Sequence, residues 1–589
     1  MAKINIKIDG QPFQVEAGQT ILQAAKECGY NIPTLCAFHD GKCSSGSCRV
    51  CLVEVKGARG LIASCVFPIN EGMEIIISSP KAHEARRHSV EFLLSNHNRN
   101  CQECTKNNNC ELLNVANLTG ARDDVFAGEK IPRTLDDLTP SIVRDMSKCV
   151  LCGRCVIRCN EAQGTGILAF QNRGFKTIVG PAFNKPFDQV PCIYCGQCIN
   201  VCPTGALSEK SEIGAVDLAI RQGKKVIVQT APAVRAAIAE EFGLPIGTAG
   251  TGKMVAALRR LGFYRVFDTN FAADLTIMEE ATELLTRIKT GGTLPMVTSC
   301  SPGWINYLEL FYSDLIPHVS TCKSPHEMMG AIIKSYFAEK NFLSPKDIFV
   351  VSIMPCTAKK YEKTRPQNAN KDHLPDVDAV ITTRELAKMI KRSGMDWNKL
   401  PEEAFDQDLL GEYTGASVIF GVTGGVMEAA LRTAYFVLTG KEHELIKFEA
   451  VRGLEGLKEA SLDINGLILN VAVVSGMHNA KPILEEMKAG KSKYHFIEIM
   501  GCPGGCINGG GQPFVKPVFL PNEKADILDT YMAKRAKVLY SEDEKQVLRQ
   551  SHRNTQVQAL YANYLGKPNG HLAHELLHTS YVPRVRFPK

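Results

Sequence analysis

Cys502 and Cys506 stand four positions apart in the run Ile499-Met500-Gly501-Cys502-Pro503-Gly504-Gly505-Cys506-Ile507-Asn508-Gly509-Gly510-Gly511, where six of the eleven residues from Gly501 to Gly511 are glycine. Thiolates are soft ligands suited to iron and its clusters. Glycines let the backbone close on a bulky inorganic group, because no Cβ intervenes. Two sulfurs cannot complete a four-ligand site, and two more cysteines occupy comparable runs upstream. They are Cys300 in Thr298-Ser299-Cys300-Ser301-Pro302-Gly303-Trp304 and Cys356 in Met354-Pro355-Cys356-Thr357-Ala358-Lys359-Lys360-Tyr361-Glu362.

The first two hundred residues carry a second kind of pattern. Cys149, Cys152, Cys155 and Cys159 repeat the spacing of Cys192, Cys195, Cys198 and Cys202, the last followed by Pro203. This is the bacterial ferredoxin signature, in which the fourth cysteine of each run crosses to the other 4Fe-4S cluster. It assigns Cys149, Cys152, Cys155 and Cys202 to one cluster, and Cys192, Cys195, Cys198 and Cys159 to the second. Cys36, Cys48, Cys51 and Cys65 form a longer variant of the plant-type spacing and suit a 2Fe-2S cluster. His97 with Cys101, Cys104 and Cys110 offers one nitrogen and three sulfurs. That set also suits structural zinc, but between two electron-carrier patterns a 4Fe-4S cluster is the favoured reading. Fifteen cysteines with His97 thus make sixteen ligands for four clusters, and Cys28 and Cys43 read as a packed thiol and a loop thiol.

The elements that must hold these groups follow from patterning. The chain has 589 residues, enough for three to five domains at about 100 to 200 residues each. Residues 1–80 open on the alternating strand INIKI, a turn at Asp9-Gly10, a second strand near Phe13 and a helix from Thr20, as a 2Fe-2S ferredoxin-like α+β domain would. Residues 81–140 take a charged helix, the His/Cys set and a connector, the cysteine-free stretch 111–148 reading as linker. Residues 141–209 form the double 4Fe-4S domain. From 210 to 520 the texture becomes α/β. Apolar runs at 225–230, 264–268, 294–298, 348–353, 379–382, 469–474 and 495–500 alternate with helices, which predicts parallel sheets covered on both faces. Ligands in such sheets bind beyond the carboxyl ends of strands, and Cys300, Cys356 and Cys502 each follow a predicted strand end. Residues 521–589 read as a helical tail. His574 and His578 there, lacking an intervening catalytic Glu, read as a packed or solvated helix face rather than a metal pair. Gly247 to Lys253 lacks phosphate-loop spacing and reads as a loop before a helix from Met254.

Composition narrows the function classes. Twenty-two cysteines behind the charged opening MAKINIKIDG point to a reducing compartment and a cytoplasmic location, since disulfide frameworks belong to small secreted domains. No apolar run reaches the ~18 residues of a membrane span. A net charge of +6 with no basic run and interleaved aromatics argues against nucleic acid as a partner.

With TSCSPGW, MPCTAKKYE and EIMGCPGGCINGGGQP all present behind a four-cluster front half, the chain resembles the FeFe-hydrogenases over essentially its whole length. The resemblance implies reversible 2H⁺ + 2e⁻ ⇌ H2 at an H-cluster between the sheets, a 4Fe-4S cube joined to a diiron unit bearing CO, CN⁻ and a dithiolate bridge. By position Cys506 is the bridging thiolate, and Cys502 and Cys356 are further cube ligands. The family form TSCCPxW has a proton-shuttling cysteine followed by a cube ligand. Cys300 falls on the shuttle position and Ser301 on the ligand position, which leaves three options open: Cys300 ligates, Ser301 ligates, or another group such as Cys322 completes the cube. The implied proton route is Glu280, Glu283, Arg287 and Ser320. Lys359 matches the lysine that hydrogen-bonds a cyanide, and Pro232, Met354 and Met500 match pocket-lining positions.

The competing classes are an electron-transfer subunit related to the large iron-sulfur subunit of NADH dehydrogenase, a hydrogenase-like assembly protein, a sensory hydrogenase and a ferredoxin-linked monomeric hydrogenase. The three C-terminal cysteine segments argue against the first, and the long front end against the second. By resemblance the partners are flavin- and NAD(P)-binding subunits of a hetero-oligomer, with ferredoxin as an alternative and H2 and protons as the small substrates.

Overall fold

The apolar runs of the second half assemble into two four-stranded sheets in a computed structural model, which describes residues 2–38, 44–130, 134–442, 448–464, 466–515 and 528–587. In the first sheet the order is Arg265–Asp268, Lys225–Thr230, Ile348–Met354, Ala379–Thr382, all parallel. Its strands are buried nearly end to end, because helices such as Thr251–Arg260, Pro325–Ile332 and Thr383–Arg392 cover both faces. The last of these starts where the strand ends, on a capping box: Thr382 Oγ accepts from Glu385 N and the Glu385 carboxylate accepts from Thr382 N.

The second sheet corrects the all-parallel expectation. Met296–Val297, Phe496–Met500 and Leu467–Ser475 run parallel, but an unanticipated strand, Leu457–Ile464, pairs antiparallel with Leu467–Ser475 in the register Leu457↔Val474. It is an edge strand whose exposed and buried residues alternate, so it lacks the continuous apolar run by which the other strands were recognised. The 294–298 run shortens to Met296–Val297, and the helix expected from Met254 begins at Thr251. Helix Asn270–Thr290 lies between the two halves. Phe271, Ala272 and Leu275 enter the core of the first sheet, while Ala273, Ile277 and Leu284 enter that of the second.

Ahead of these sheets, Lys3–Ile8, Gln11–Glu16, Leu52–Val55, Ile62–Ala63 and Glu74–Ile76 form a five-stranded sheet beside helix Ile21–Glu27, and Thr20 caps that helix as its sequence suggests. The linker reading of 111–148 is overturned. Glu111–Thr119 is a helix that buries Leu112, Val115 and Ala116, and Ile142–Asp145 pairs antiparallel with Leu207–Glu209. Lack of cysteine was a poor guide there, since apolar spacing alone gave the helix a face to bury. Cys43 lies outside the described residues. In the tail, helix His571–Leu577 ends before His578, so the two histidines do not share a helical face. His578 is buried and its ring stacks on that of His574 at 4.4 Å. Among the described residues no helix is long and apolar enough to cross a membrane.

Two buried arginines lock the units. Arg154, in the first ferredoxin run, reaches Glu111 at 2.8 Å and donates to the Ala37 carbonyl at 2.8 Å, so one guanidinium touches three cluster-bearing segments. Arg384 pairs with Glu209 at 2.7 Å and donates to the Gly510 carbonyl at 2.7 Å, tying the ferredoxin unit to the glycine-rich run. Arg384→Met leaves the half-buried Glu209 carboxylate without its partner, at a cost of up to about 3 kcal/mol. We expect a lower denaturant midpoint by circular dichroism, partly recovered by adding Glu209→Gln.

Candidate functional site

Beyond the carboxyl ends of both sheets lies one cavity, lined by Cys300, Cys356, Cys502 and Cys506. The four cysteines arrive from three strand ends: Cys300 after Met296–Val297, Cys356 after Ile348–Met354, and Cys502 and Cys506 after Phe496–Met500. Pro232, Met354, Met500 and Lys359, the expected pocket residues, also line it. The glycines are needed at specific points. Gly505 has φ +95°, and a Cβ there would lie 2.6 Å from Thr423 N. A Cβ on Gly510 would lie 2.3 Å from the Cys195 carbonyl oxygen.

The donor set fits an iron-sulfur cofactor. Burial pushes the thiols of Cys300, Cys356, Cys502 and Cys506 up, that of Cys506 to about 12. Sulfurs so placed ionise only against a strong positive charge, which a metal cluster supplies. Cys356, Cys502 and Cys506 are mutual electrostatic neighbours, whereas Cys300 faces Glu280, Glu498 and Cys506. Ser301 lines the same cavity, and its Oγ accepts a hydrogen bond from Gly501 N at 3.0 Å. Cys322 is not among the lining residues; its thiol sits 3.9 Å from Glu283 Oε2.

Lys359 is the cation of the cavity wall. Burial works against its charge, but Glu362 at 2.8 Å more than offsets this and holds the ammonium above its ordinary range. Lys359 also donates to Ser324 Oγ at 3.0 Å. Against the cost of burial, Lys359 and His326 bring Glu362 down to about 2, while burial and Lys359 bring His326 to about 4 and keep its ring neutral. Sequence reasoning gave no role to His326, Ser324 or Glu362. The Lys359-x-x-Glu362 spacing, which puts both on one face of helix Ala358–Glu362, is the signal that could have found the pair.

Behind Cys300 the expected acid–base residues come together. Glu280 is 1% exposed, and its Oε1 has no hydrogen-bond partner among the described residues. Burial, followed by the charge of Glu283, lifts it to about 8. Glu283 accepts from Ser320 Oγ at 2.8 Å and from Arg287 Nη2 at 2.6 Å, and Arg287 donates to the carbonyls of Pro317, His318 and Val319. The side chains of Glu283 and Arg287 are 12% and 14% exposed, so the series runs from the cavity toward solvent.

On the opposite side the second ferredoxin run presses on the cavity wall. Thr357 Oγ donates to the Tyr194 carbonyl at 2.8 Å and Gln197 Nε2 to that of Asn508 at 2.8 Å. Burial pushes the Cys195 thiol up, and Cys356 is among the charges that add to it. In the same unit Cys149, Cys152, Cys155 and Cys202 line one small cavity, and Cys159 neighbours Cys192, Cys195 and Cys198. Near the N-terminus the Cys36 sulfur lies 3.4 Å from that of Cys48 and 4.0 Å from that of Cys65, with Cys51 buried beside them. His97 is buried, Cys101 is exposed, and Cys104 and Cys110 are half-buried.

The family description "Iron only hydrogenase large subunit, C-terminal domain" matches residues 224–510, and "Iron hydrogenase small subunit" matches 529–584. A 2Fe-2S iron-sulfur cluster binding domain matches 1–80, an NADH-ubiquinone oxidoreductase-G iron-sulfur binding region 86–124, and an NADH-quinone oxidoreductase subunit 3 ferredoxin-like domain 139–208. The chain is 46% identical to the NADP-reducing hydrogenase subunit HndD of Solidesulfovibrio fructosivorans, over 100% of both chains. It is 44% identical to iron hydrogenase 1 of Clostridium pasteurianum, over 98% of this chain and 99% of that one. A solved structure of the FeFe-hydrogenase HydA(deltaEFG) aligns with a TM-score of 0.55 at 44% identity, covering 62% of this chain and 98% of its own.

Glu280 gives this site a measurable pH signature. Its folded value near 8 stands above the ordinary 4.5 of a glutamate. Its contribution is therefore complete below the ordinary value and lost as pH rises toward 8, at up to about 1.4 kcal/mol per pH unit. Glu280→Gln should flatten this part of the stability–pH curve, equalling the parent in acid and exceeding it above about pH 8. Denaturant midpoints across the pH range check this.

Proposed function

Because this chain belongs to the FeFe-hydrogenase family, we propose that it is the H2-activating subunit of an NAD(P)-linked, hetero-oligomeric hydrogenase, with the acid–base and ligand roles given below. The chain is an iron-only hydrogenase with iron-sulfur domains at its N-terminal end. The observation that carries the finer reading is the convergence of Cys300, Cys356, Cys502, Cys506 and Lys359 on one buried cavity, with a ferredoxin loop on one side and a carboxylate series on the other.

Cys356, Cys502 and Cys506 would hold the H-cluster, which when bound supplies the iron centre for H2 activation and the electron-accepting cube. The remaining chemistry belongs to this chain's own groups. Cys300, kept as a neutral thiol by burial, gives and takes a proton at Sγ on the cavity side. Glu280, lifted to about 8, stays protonated at neutral pH and so serves as the next carrier without leaving a bare charge in the interior. Ser320 and Glu283 pass the proton outward, and Arg287 holds Glu283 in place at the mouth. Lys359, fixed by Glu362 and Ser324, presents an ammonium to the cavity and suits an anionic cyanide ligand. The apolar Pro232, Met354 and Met500 exclude water.

Cys36, Cys48, Cys51 and Cys65 would hold a 2Fe-2S cluster, His97, Cys101, Cys104 and Cys110 a 4Fe-4S cluster, and the two ferredoxin runs two more, and these groups when bound would supply the electron relay. The partner assignment is supported by the name of the relative HndD, an NADP-reducing hydrogenase subunit. Flavin- and pyridine-nucleotide-binding subunits are thus the expected acceptors, in a cytoplasmic complex, with ferredoxin the alternative.

Infrared spectra of anaerobically matured protein in the region of metal-bound CO and CN⁻, recorded beside H2 uptake with a dye, test the reading. Bands together with turnover uphold it; a full complement of iron-sulfur iron without bands or turnover sinks it. Cys300→Ala and Glu280→Gln should keep the bands yet lose turnover by about 10²–10⁴-fold, the usual worth of a positioned proton carrier.

A further inference from the structure

Three elements that are distant in sequence meet at one point behind the proton route. Glu283 projects from helix Asn270–Thr290. Cys322 and His578 face each other across an isolated antiparallel bridge, framed by Lys323 N donating to the Leu577 carbonyl at 2.8 Å and Thr579 N to the Thr321 carbonyl at 2.7 Å. Directly opposed residues of an antiparallel pair send their side chains to the same face. One ligand atom from each of Glu283, Cys322 and His578 lies within 4.8 Å of the other two.

We propose that Glu283, Cys322 and His578 form a binding site for one borderline-soft divalent cation of the Zn²⁺ class, and that a cation held there slows hydrogen turnover. The second half rests on the proton route assigned above to Glu283; the first half does not. One sulfur, one imidazole nitrogen and one carboxylate oxygen make a zinc-type ligand set that leaves a fourth position for water. Calcium and magnesium call for six or more oxygen ligands, which these residues do not offer. A tetrahedron with bonds of about 2.0–2.3 Å has edges of roughly 3.3–3.8 Å, so the side chains close by about 1.5 Å at most.

The surroundings are those of a metal ligand set. His578 Nε2 lies 3.1 Å from Glu279 Oε2, which leaves Nδ1, now 2.7 Å from Thr321 Oγ, as the ligand atom. A carboxylate on the second ring nitrogen is how metal-bound histidines are oriented. Tyr561 donates to the other oxygen of Glu279 and fixes that carboxylate in turn. The Cys322 thiol makes a long contact, 3.9 Å, to Glu283 Oε2, and a cation would replace its proton. Arg287, 2.6 Å from Glu283, opposes a second positive charge and so favours a cation that bonds thiolate strongly over one held by charge alone. With Glu283 engaged, Ser320 loses the acceptor through which it passes a proton.

The test adds Zn²⁺ alone to matured holoenzyme, followed by metal analysis after desalting, Zn-edge X-ray absorption and dye-linked H2 turnover. We expect one retained zinc, a shell with a single sulfur at about 2.3 Å beside nitrogen and oxygen at about 2.0–2.1 Å, and inhibition. Cys322→Ser, with cluster iron and starting turnover retained, should lose the sulfur shell and need at least tenfold more zinc for half inhibition. His578→Gln is the second variant and should lose one nitrogen from the shell. No sulfur shell in the parent protein, or one that persists unchanged in Cys322→Ser, overturns the site. A sulfur shell lost in Cys322→Ser with parent turnover indifferent to zinc overturns the brake and the Glu283 route, and leaves the site standing.

Discussion

The close approach of two backbones, Gly510 against the carbonyl of Cys195, is the constraint on which the rest of this molecule depends. No side chain fits between them, since a Cβ on Gly510 would lie 2.3 Å from that oxygen. The contact sets Cys195 of the second ferredoxin run beside the wall that carries Cys356 and Cys506. It is held on three sides: by Thr357 on the Tyr194 carbonyl, by Gln197 on that of Asn508, and by Arg384, which spans Glu209 and Gly510. The density of glycine in this run thus serves two approaches at once, to the cofactor on one face and to the electron carrier on the other.

Electrostatics then divides the cavity into a thiol side and a carboxyl side. Toward the ferredoxin unit the groups are thiols, and every nearby sulfur is pushed toward neutrality by burial until a metal balances it. Toward helix Asn270–Thr290 the groups are carboxyls. There the same burial keeps Glu280 protonated at neutral pH, while Glu283, nearer solvent, is paired with Arg287. One physical effect, the cost of an unpaired charge in a low-dielectric interior, produces both behaviours. Lys359 escapes it because Glu362 shares the cost.

Helix Asn270–Thr290 earns its place by belonging to both sheets. Its residues enter each core in turn, so the carboxylates it carries are fixed relative to strands of both. The C-terminal segment closes the other side of this route through the bridge of Cys322 to His578 and through the buried Glu279. A segment that reads in sequence as a helical tail is therefore part of the wall behind the acid–base residues.

How much of this was readable beforehand depended on whether a residue's meaning was local. The ferredoxin runs, the 2Fe-2S spacing and the parallel strands were legible, because ligand spacing and continuous apolar runs are properties of short stretches of chain. So was the delivery of Cys300, Cys356 and Cys502 to strand ends, which follows from where the apolar runs stop. The edge strand Leu457–Ile464 and the helix Glu111–Thr119 were not read, since amphipathic elements without a cysteine or an unbroken apolar run look like connector. By itself the sequence determined the family, the order of the iron-sulfur domains ahead of the catalytic half and the α/β character of that half. Only the tertiary structure decided that Cys322 lies away from the cavity beside Glu283 and His578, that Ser301 accepts from Gly501, and that Ser324 and His326 reach the Lys359–Glu362 pair. Those relations join residues tens to hundreds of positions apart, and such pairings exist only once two sheets and a C-terminal strap have closed around one helix.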